Sequence, residues 1–350
     1  MTPGFRWCQH CGRPHHLDER LCPTTGHSLD EGVQRALAAA APSPILGTLL
    51  DGKYRILRLI GKGGMGQVFE AEDLQLKRMV AIKVVGARAA GPEAVQRLER
   101  EAHVIAAIPH TNICAVHGLG RMADGAPYVV FERLFGQTLA ARIRGGRRLS
   151  LNATIELFAQ ILSGLGAAHA KRIIHRDLKP ENVVLVDRPG SEPLVKIVDF
   201  GFARDLSATD SRITRPGRLC GTAQYMSPEQ LRAEPLDPRS DLFSLGIMMY
   251  EALAGRHPFE ATSLLDLQIN ILGGTFAALR SRRPDVPPTL AALVAAALSA
   301  APSSRPATAM GMRTELLAVA RELTVAALGD DEPASVTDPV WLPPPSSPAP

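Results

Sequence analysis

Between Tyr54 and about Leu323 apolar positions recur densely, and two different periods share that stretch. In its first part they form short runs at 54–60, 67–71 and 79–85, divided by glycines or charged residues, which predicts strands. Pro92 then opens a predicted helix over 93–108, with Val95, Leu98, Ala102, Ile105 and Ala106 on one stripe. Beyond residue 150 the helical period dominates, and segments 151–170, 241–254, 290–299 and 309–323 read as helices. Strands first and helices after predict an α+β architecture: a small sheet-rich lobe followed by a larger helical one. No internal repeat is visible.

The flanks read differently. Residues 1–30 are rich in Cys, His, Gly and Pro, and 31–53 form a linker that begins with an alanine run and continues through Pro42-Ser43-Pro44. Residues 54–323 have the size of one large domain. Residues 324–350 end in Pro343-Pro344-Pro345-Ser346-Ser347-Pro348-Ala349-Pro350, a composition that builds no core and predicts a disordered or polyproline-like tail.

Composition narrows the function classes. Apolar residues make up 45% and charged residues 21% of the 350, enough for a sizeable core. Lys plus Arg number 39 against 35 Asp plus Glu, a net charge of +4 that gives no electrostatic reason for a nucleic-acid partner. The most apolar stretch, 290–301, is closed by Pro302 and falls short of the ~20 residues a spanning helix needs, so no membrane insertion is expected. The first residues carry no apolar leader pattern. Three of the five cysteines crowd into the first 22 residues, unlike a secreted disulfide framework. A cytoplasmic, reduced-thiol protein is expected.

The chemistry is concentrated in a few motifs. Gly61-Lys62-Gly63-Gly64-Met65-Gly66-Gln67-Val68 leaves one strand and enters another. A dinucleotide-binding turn needs a helix after its glycines; with 68–71 reading as a strand, a hairpin laid over phosphates fits better. Taken alone, a plain glycine turn would serve as well. Lys83 ends Val80-Ala81-Ile82-Lys83 in mid-strand, where an ammonium needs an anionic partner; Glu101 is expected, with Glu99 the competitor. Then follow His175-Arg176-Asp177-Leu178-Lys179-Pro180-Glu181-Asn182, Asp199-Phe200-Gly201 and Ser227-Pro228-Glu229.

In this order the motifs resemble the eukaryotic-like (Hanks-type) serine/threonine protein kinases of bacteria, over about 270 residues. The resemblance implies a bilobal protein kinase-like fold with a small β-rich N-lobe and a larger helical C-lobe. It implies ATP bound under Ile60 and the glycine loop 61–66 with Gln67, and between Val68 and Ala81 above and Leu185 below. Phe131 would stand as gatekeeper and Glu132–Leu134 as hinge. Lys83, paired with Glu101, would hold the α- and β-phosphates; Asp177 would accept the substrate hydroxyl proton; Lys179 would neutralise the γ-phosphoryl. Asn182 and Asp199 would bind Mg²⁺, or Mn²⁺ in its place. Lys179 also points to Ser/Thr specificity, and Thr222 matches the threonine that contacts both it and the catalytic aspartate. Arg176 would answer a phosphate on the activation segment, with Thr214 the best-matched acceptor.

Asp241 would tether the catalytic-loop backbone and Arg305 would pair with Glu229. Arg133, where an aromatic is frequent, and Ser227 in place of alanine depart from the common pattern. With no catalytic residue missing, an active kinase acting on protein Ser/Thr hydroxyls and autophosphorylating, in a dimer if in trans, is expected. The alternative is a nucleotide-binding scaffold acting through partners held by the N-terminal module or the tail. A small-molecule kinase is a third reading, disfavoured by the peptide-docking pattern at Gly221-Thr222 and Ser227-Pro228-Glu229.

Cys8-Gln9-His10-Cys11 and Cys22 resemble the knuckles of a zinc ribbon, whose fourth cysteine is replaced by Thr25 here. His27 is the substitute ligand, with His10, His15 or His16 behind it, so Cys8, Cys11, Cys22 and His27 form a candidate structural Zn²⁺ site in a ribbon-like module over 1–30.

Overall fold

The computed structural model describes residues 5–7, 14–16, 45–63, 66–85, 98–99, 102–188, 190–200 and 223–329. Strands β1 (Phe5–Trp7) and β2 (Pro14–His16) pair antiparallel near the N-terminus, with Phe5 opposite His16. Of the expected site residues, Cys8, Cys11, Cys22, His27, Gly64, Met65, Glu101, Thr214 and Thr222 lie outside the described residues, as do most of the linker and residues 330–350 of the tail.

A six-stranded sheet forms the first lobe. Its strands are β3 (Leu49–Leu50), β4 (Tyr54–Gly63), β5 (Gly66–Asp73), β6 (Arg78–Val85), β7 (Val116–Arg121) and β8 (Pro127–Glu132), in spatial order β3-β4-β5-β6-β8-β7 and antiparallel throughout. Leu49–Leu50 falls inside the stretch expected as linker: two residues carry no readable period, yet Leu50 is buried in the sheet's core.

Alternation along the strands decides which side chains meet the cleft. On β6, Val80 and Ile82 enter the outer core with Phe69, Ala71, Tyr128 and Val130, which turns Ala81 and Lys83 to the opposite face. On β5 the same rule sends Phe69 and Ala71 outward to that core and leaves Val68 and Glu70 on the cleft side.

In the predicted 93–108 helix, Leu98, Ala102 and Ile105 are buried, but the α-helix ends at 106 and Ala106 is exposed. Ile108, just past the end, takes the inward position instead.

The second lobe is helical. Helix α1 (Leu139–Ile143) follows β9 (Gly136–Thr138). Helix α2 (Leu151–Ala170) starts where Ser150 Oγ accepts the Ala153 N–H at 3.1 Å, and buries Ile155, Phe158, Ile161, Leu162 and Leu165. Strands β10 (Val183–Arg188) and β11 (Ser191–Ile197) join β9 in a three-stranded sheet, order β11-β10-β9.

Beyond the segment at 201–222 come α3 (Pro228–Leu231), α4 (Arg239–Ala254), α5 (Leu264–Gly273), α6 (Leu279–Arg282), α7 (Pro288–Ala297) and α8 (Ala309–Gly329). Helix α4 is buried on nearly every side and forms the centre of this lobe. Gly255 caps it in the left-handed conformation, φ 72°, where a Cβ would sit 2.4 Å from the Gly146 carbonyl oxygen. Helix α8 runs six residues past the expected domain end at 323.

Candidate active site

Under the sheet lies a cleft of about 370 Å³, within the size range of small-molecule sites. Ile60, Val68, Ala81 and Lys83 line it from above, and Phe131, Glu132, Arg133 and Leu134 along one side. Val184, Val198 and Asp199 line it from below. Leu185, expected as the floor, is instead buried in the main core, and Val184 takes that place. The register of β10 on β11 sets this facing: Leu185 stands opposite the buried Val195, so its neighbour is the one left on the cleft side. Cys114, unremarked in the sequence, also lines the cleft; it is a free thiol 5% exposed, and burial pushes its pKa up.

The glycine loop is the hairpin tip between β4 and β5. Gly61 pairs with Val68, Lys62 with Gln67 and Gly63 with Gly66. At Gly66 a Cβ would lie 2.1 Å from the Val84 carbonyl oxygen, so the position admits no larger residue without moving β6.

Lys83 Nζ forms an ion pair with Asp199 Oδ1 at 2.8 Å, tying the sheet to the segment after β11. Glu99, the competitor for Lys83, pairs with Arg121 at 2.8 Å and is thereby engaged elsewhere. Asp199 itself sits at φ 57°, a conformation sparsely populated by non-glycine residues and held only where its surroundings enforce it.

The loop from His175 to Asn182 is built around a buried histidine and a buried aspartate. Asp241, on α4, accepts the His175 N–H through Oδ2 at 2.8 Å and the Arg176 N–H through Oδ1 at 3.0 Å. This clamps the backbone where Arg176 adopts φ 64°. His169 Nε2 lies 2.8 Å from the same Oδ2.

The His175 ring is fully buried, and burial pushes its pKa down, so the ring is neutral near pH 7. Its Nδ1 accepts the Asp177 N–H at 3.3 Å, so the proton is on Nε2, which donates to the Val198 carbonyl at 3.0 Å. The ring also packs 4.7 Å from Phe200. One side chain thereby sets the backbone of Asp177 and the residue before Asp199.

Within the loop, Lys179 Nζ donates to Asp177 Oδ2 at 2.7 Å. Asn182 Nδ2 donates to the Asp177 carbonyl at 2.8 Å and to Oδ2 at 3.2 Å. The Val198 N–H bonds the Asn182 carbonyl at 2.9 Å, which brings Asn182 beside the residue preceding Asp199. With its amide nitrogen spent on Asp177, Asn182 offers its Oδ1; with the Asp199 carboxylate this is a hard-oxygen donor set. Such a pair fits Mg²⁺, which is usually bound by one or two protein oxygens and completed by phosphates and water.

A second buried cluster holds the outflow of the 201–222 segment. Arg305 makes two bonds to Glu229, at 2.7 and 2.8 Å, and Ser240 Oγ donates to Glu229 Oε1 at 2.6 Å. Gln230 Nε2 donates to the Arg176 carbonyl at 2.7 Å, joining α3 to the loop that carries Asp177.

The protein kinase domain family matches residues 54–317. The chain is 38% identical over 282 residues to the serine/threonine-protein kinase pkn3 of Myxococcus xanthus, covering 79% of this chain and 52% of that one. It is 36% identical over 289 residues to PknL of Mycobacterium tuberculosis, covering 82% and 70%. With PrkC of Bacillus subtilis it is 35% identical, covering 78% and 41%. The chain thus spans about half the length of pkn3 and less of PrkC. In structure, the PknI kinase domain of Mycobacterium tuberculosis matches with a TM-score of 0.62 at 24% identity, over 79% of this chain and 99% of that one, a likeness of fold. Among the described residues no helix is long and apolar enough to cross a membrane. Since the matched stretch opens on the first residue of β4 and closes inside α8, every wall of the cleft falls within it, and the chain belongs to the protein kinase family.

Proposed function

We propose that the chain is an ATP-dependent serine/threonine protein kinase. One observation carries the reading: Lys83 and Asp199 pair at the wall of a nucleotide-sized cleft, and the bond from the Val198 N–H to the Asn182 carbonyl sets beside them the cluster in which Lys179 and Asn182 converge on Asp177. In this reading the adenine lies between Val68 and Ala81 above and Val184 below, against the 132–134 backbone. Lys83 exchanges part of its bond to Asp199 for the α- and β-phosphates. The acceptor hydroxyl approaches Asp177, its oxygen bonds the γ-phosphorus as the bond to the β,γ-bridging oxygen breaks, and the hydroxyl proton passes to the Asp177 carboxylate. Lys179, already on Asp177 Oδ2, offsets negative charge on the transferring group. Mg²⁺, which protein kinases use with ATP, would be held by Asn182 Oδ1 and the Asp199 carboxylate and would neutralise phosphate charge.

Arg176 and Thr222 retain the regulatory and positioning roles proposed for them, and Thr214 that of the autophosphorylated residue. Incubating the full chain with γ-labelled ATP, Mg²⁺ and a basic protein substrate is expected to label serine and threonine in both, including the 204–221 peptide of the kinase. Nucleotide binding without any transfer would overturn the reading in favour of a scaffold.

Cys8, Cys11, Cys22 and His27 stand as a proposed Zn²⁺ site in the 1–30 module, supported by the β1–β2 pairing whose strands flank Cys8 and Cys11 in sequence. Metal analysis of the full chain should find one zinc per molecule, lost in Cys8→Ser; a chain purified without stoichiometric zinc in either form would overturn the site. The 31–53 linker and 324–350 tail, partners bound through the module or tail, a dimer for trans-autophosphorylation and a cytoplasmic location belong to the same proposal.

A further inference from the structure

Glu70 is a carboxylate on the cleft side of β5 with its side chain only 2% exposed, and the kinase chemistry above makes no use of it. Its two oxygens are each taken by a different guanidinium. Arg58 Nε from β4 donates to Oε2 at 2.5 Å, and Arg133 Nε from the hinge donates to Oε1 at 2.7 Å. Burial raises the Glu70 pKa, but the bonds to the two arginines outweigh it, so the carboxyl is held below its ordinary value and stays ionised.

Arg133 is further fixed by lying 4.5 Å over the Phe135 ring and by donating to the Leu134 carbonyl. The residue before it faces the other lobe. Lys196 Nζ, three positions before Asp199, donates to Glu132 Oε1 at 2.6 Å, as does the Ala115 N–H at 2.8 Å. The Glu132 N–H in turn donates to the Ala115 carbonyl at 2.9 Å. Successive hinge side chains therefore grip opposite sides of the molecule: Glu132 the strand that leads to Asp199, and Arg133 the sheet that carries the glycine loop.

We infer that Glu70 and Arg133 are positioning residues for the nucleotide: their ion pair holds the hinge backbone at a fixed height beneath β5, at the spacing the base needs. The inference rests on the kinase reading of the cleft. A base bound against the hinge must meet Val68 and Ala81 above and Val184 below at once, so a hinge released from β5 loses ground-state binding while the Asp177 loop, held independently by Asp241, is untouched.

The test is an initial-rate titration of Mg-ATP with the full chain, alongside thermal melting, for wild type, Glu70→Gln, Arg133→Met, their double variant and Arg133→Lys. Each single change is expected to raise KM for ATP by roughly tenfold with kcat held within about twofold. The double variant should be little worse than Glu70→Gln alone, since that change already weakens the bond that Arg133→Met removes, together with the Arg58 bond, and Arg133→Lys should recover part of the loss. Unchanged KM in a folded variant, a fall in kcat with KM constant, or additive losses would each overturn the inference. Should Glu70→Gln not fold, Arg133→Met decides alone, because a methionine there keeps apolar contact with Phe135. A wild-type chain that transfers no phosphate in the same assay defeats the kinase reading; an active wild type with variants indistinguishable from it defeats only this inference.

Discussion

Asp177→Asn is expected to lower phosphoryl transfer by about 10²–10⁴, the usual worth of a positioned general base. The change is isosteric, so its effect comes from hydrogen-bond direction. Two donors, Lys179 Nζ at 2.7 Å and Asn182 Nδ2 at 3.2 Å, converge on Asp177 Oδ2. An asparagine there satisfies them only by placing its carbonyl oxygen at that position, which turns its NH₂ to the other side. The acceptor hydroxyl then meets an N–H donor where it needs a proton acceptor. The backbone of the loop is held by His175 and Asp241, and an asparagine can keep both bonds at the Oδ2 position, so melting temperature and KM for ATP should stay near wild type. Transfer of labelled phosphate by Asp177→Asn at the wild-type rate would remove Asp177 from the chemistry.

Much of this loop was legible in the sequence because its residues are close in the chain and each type has few other uses in that order. The 151–170 helix was legible for another reason: a serine cap and an unbroken apolar stripe specify both its start and its buried face. Strand β8 carries no readable period, although Tyr128-Val129-Val130-Phe131 is apolar throughout. Both of its faces are covered, Tyr128 and Val130 by the outer core and Val129 and Phe131 by the main one, so no alternation marks it. The same ambiguity hides the cleft floor, which is Val184 and not the expected Leu185. In Val183-Val184-Leu185-Val186 nothing local says which residue faces the cleft; the register on β11 does. Helix α5 shows no clean stripe because Leu265 and Ile269, which break its polar face, are exposed.

The hinge brace lies beyond any local reading, for Arg58, Glu70 and Arg133 meet only when β4, β5 and the hinge are folded together. Arg133 stood out in sequence as a departure from pattern, but its partner had no signal. Glu70 reads as one more polar residue alternating along a strand. Pairing between distant charges is legible only where, as with Arg305 and Glu229, a family pattern supplies it.

That second pair carries the largest expected effect on stability. Arg305→Met should cost about 3–5 kcal/mol, because removing one partner of a buried pair leaves the other charge in the interior without compensation. The Arg305 side chain is 0% exposed, and besides both oxygens of Glu229 it serves the Ser299, Ala300 and Arg239 carbonyls. It also lies 4.8 Å over the Phe243 ring, at the first turns of the central helix α4. One side chain thus closes the α3 segment, the start of α4 and the 299–300 turn onto one another, so the methionine would retain ring contact but strand three acceptors and a carboxylate. Urea unfolding at pH 7 should show the loss as a lower midpoint, and a change under about 1 kcal/mol would contradict a buried-pair role. Acid titration gives an independent reading of the same bond. Burial pushes the Glu229 carboxyl up, but the Arg305 and Ser240 bonds outweigh it and hold it at about 2, against an ordinary 4.5. A carboxyl depressed in the folded state stabilises above its unfolded value and loses that contribution as pH falls toward the folded one. Wild-type stability should therefore decline between about pH 4.5 and 2 in part through this group, and Arg305→Met should flatten that part of the profile, since its Glu229 no longer prefers the ionised form.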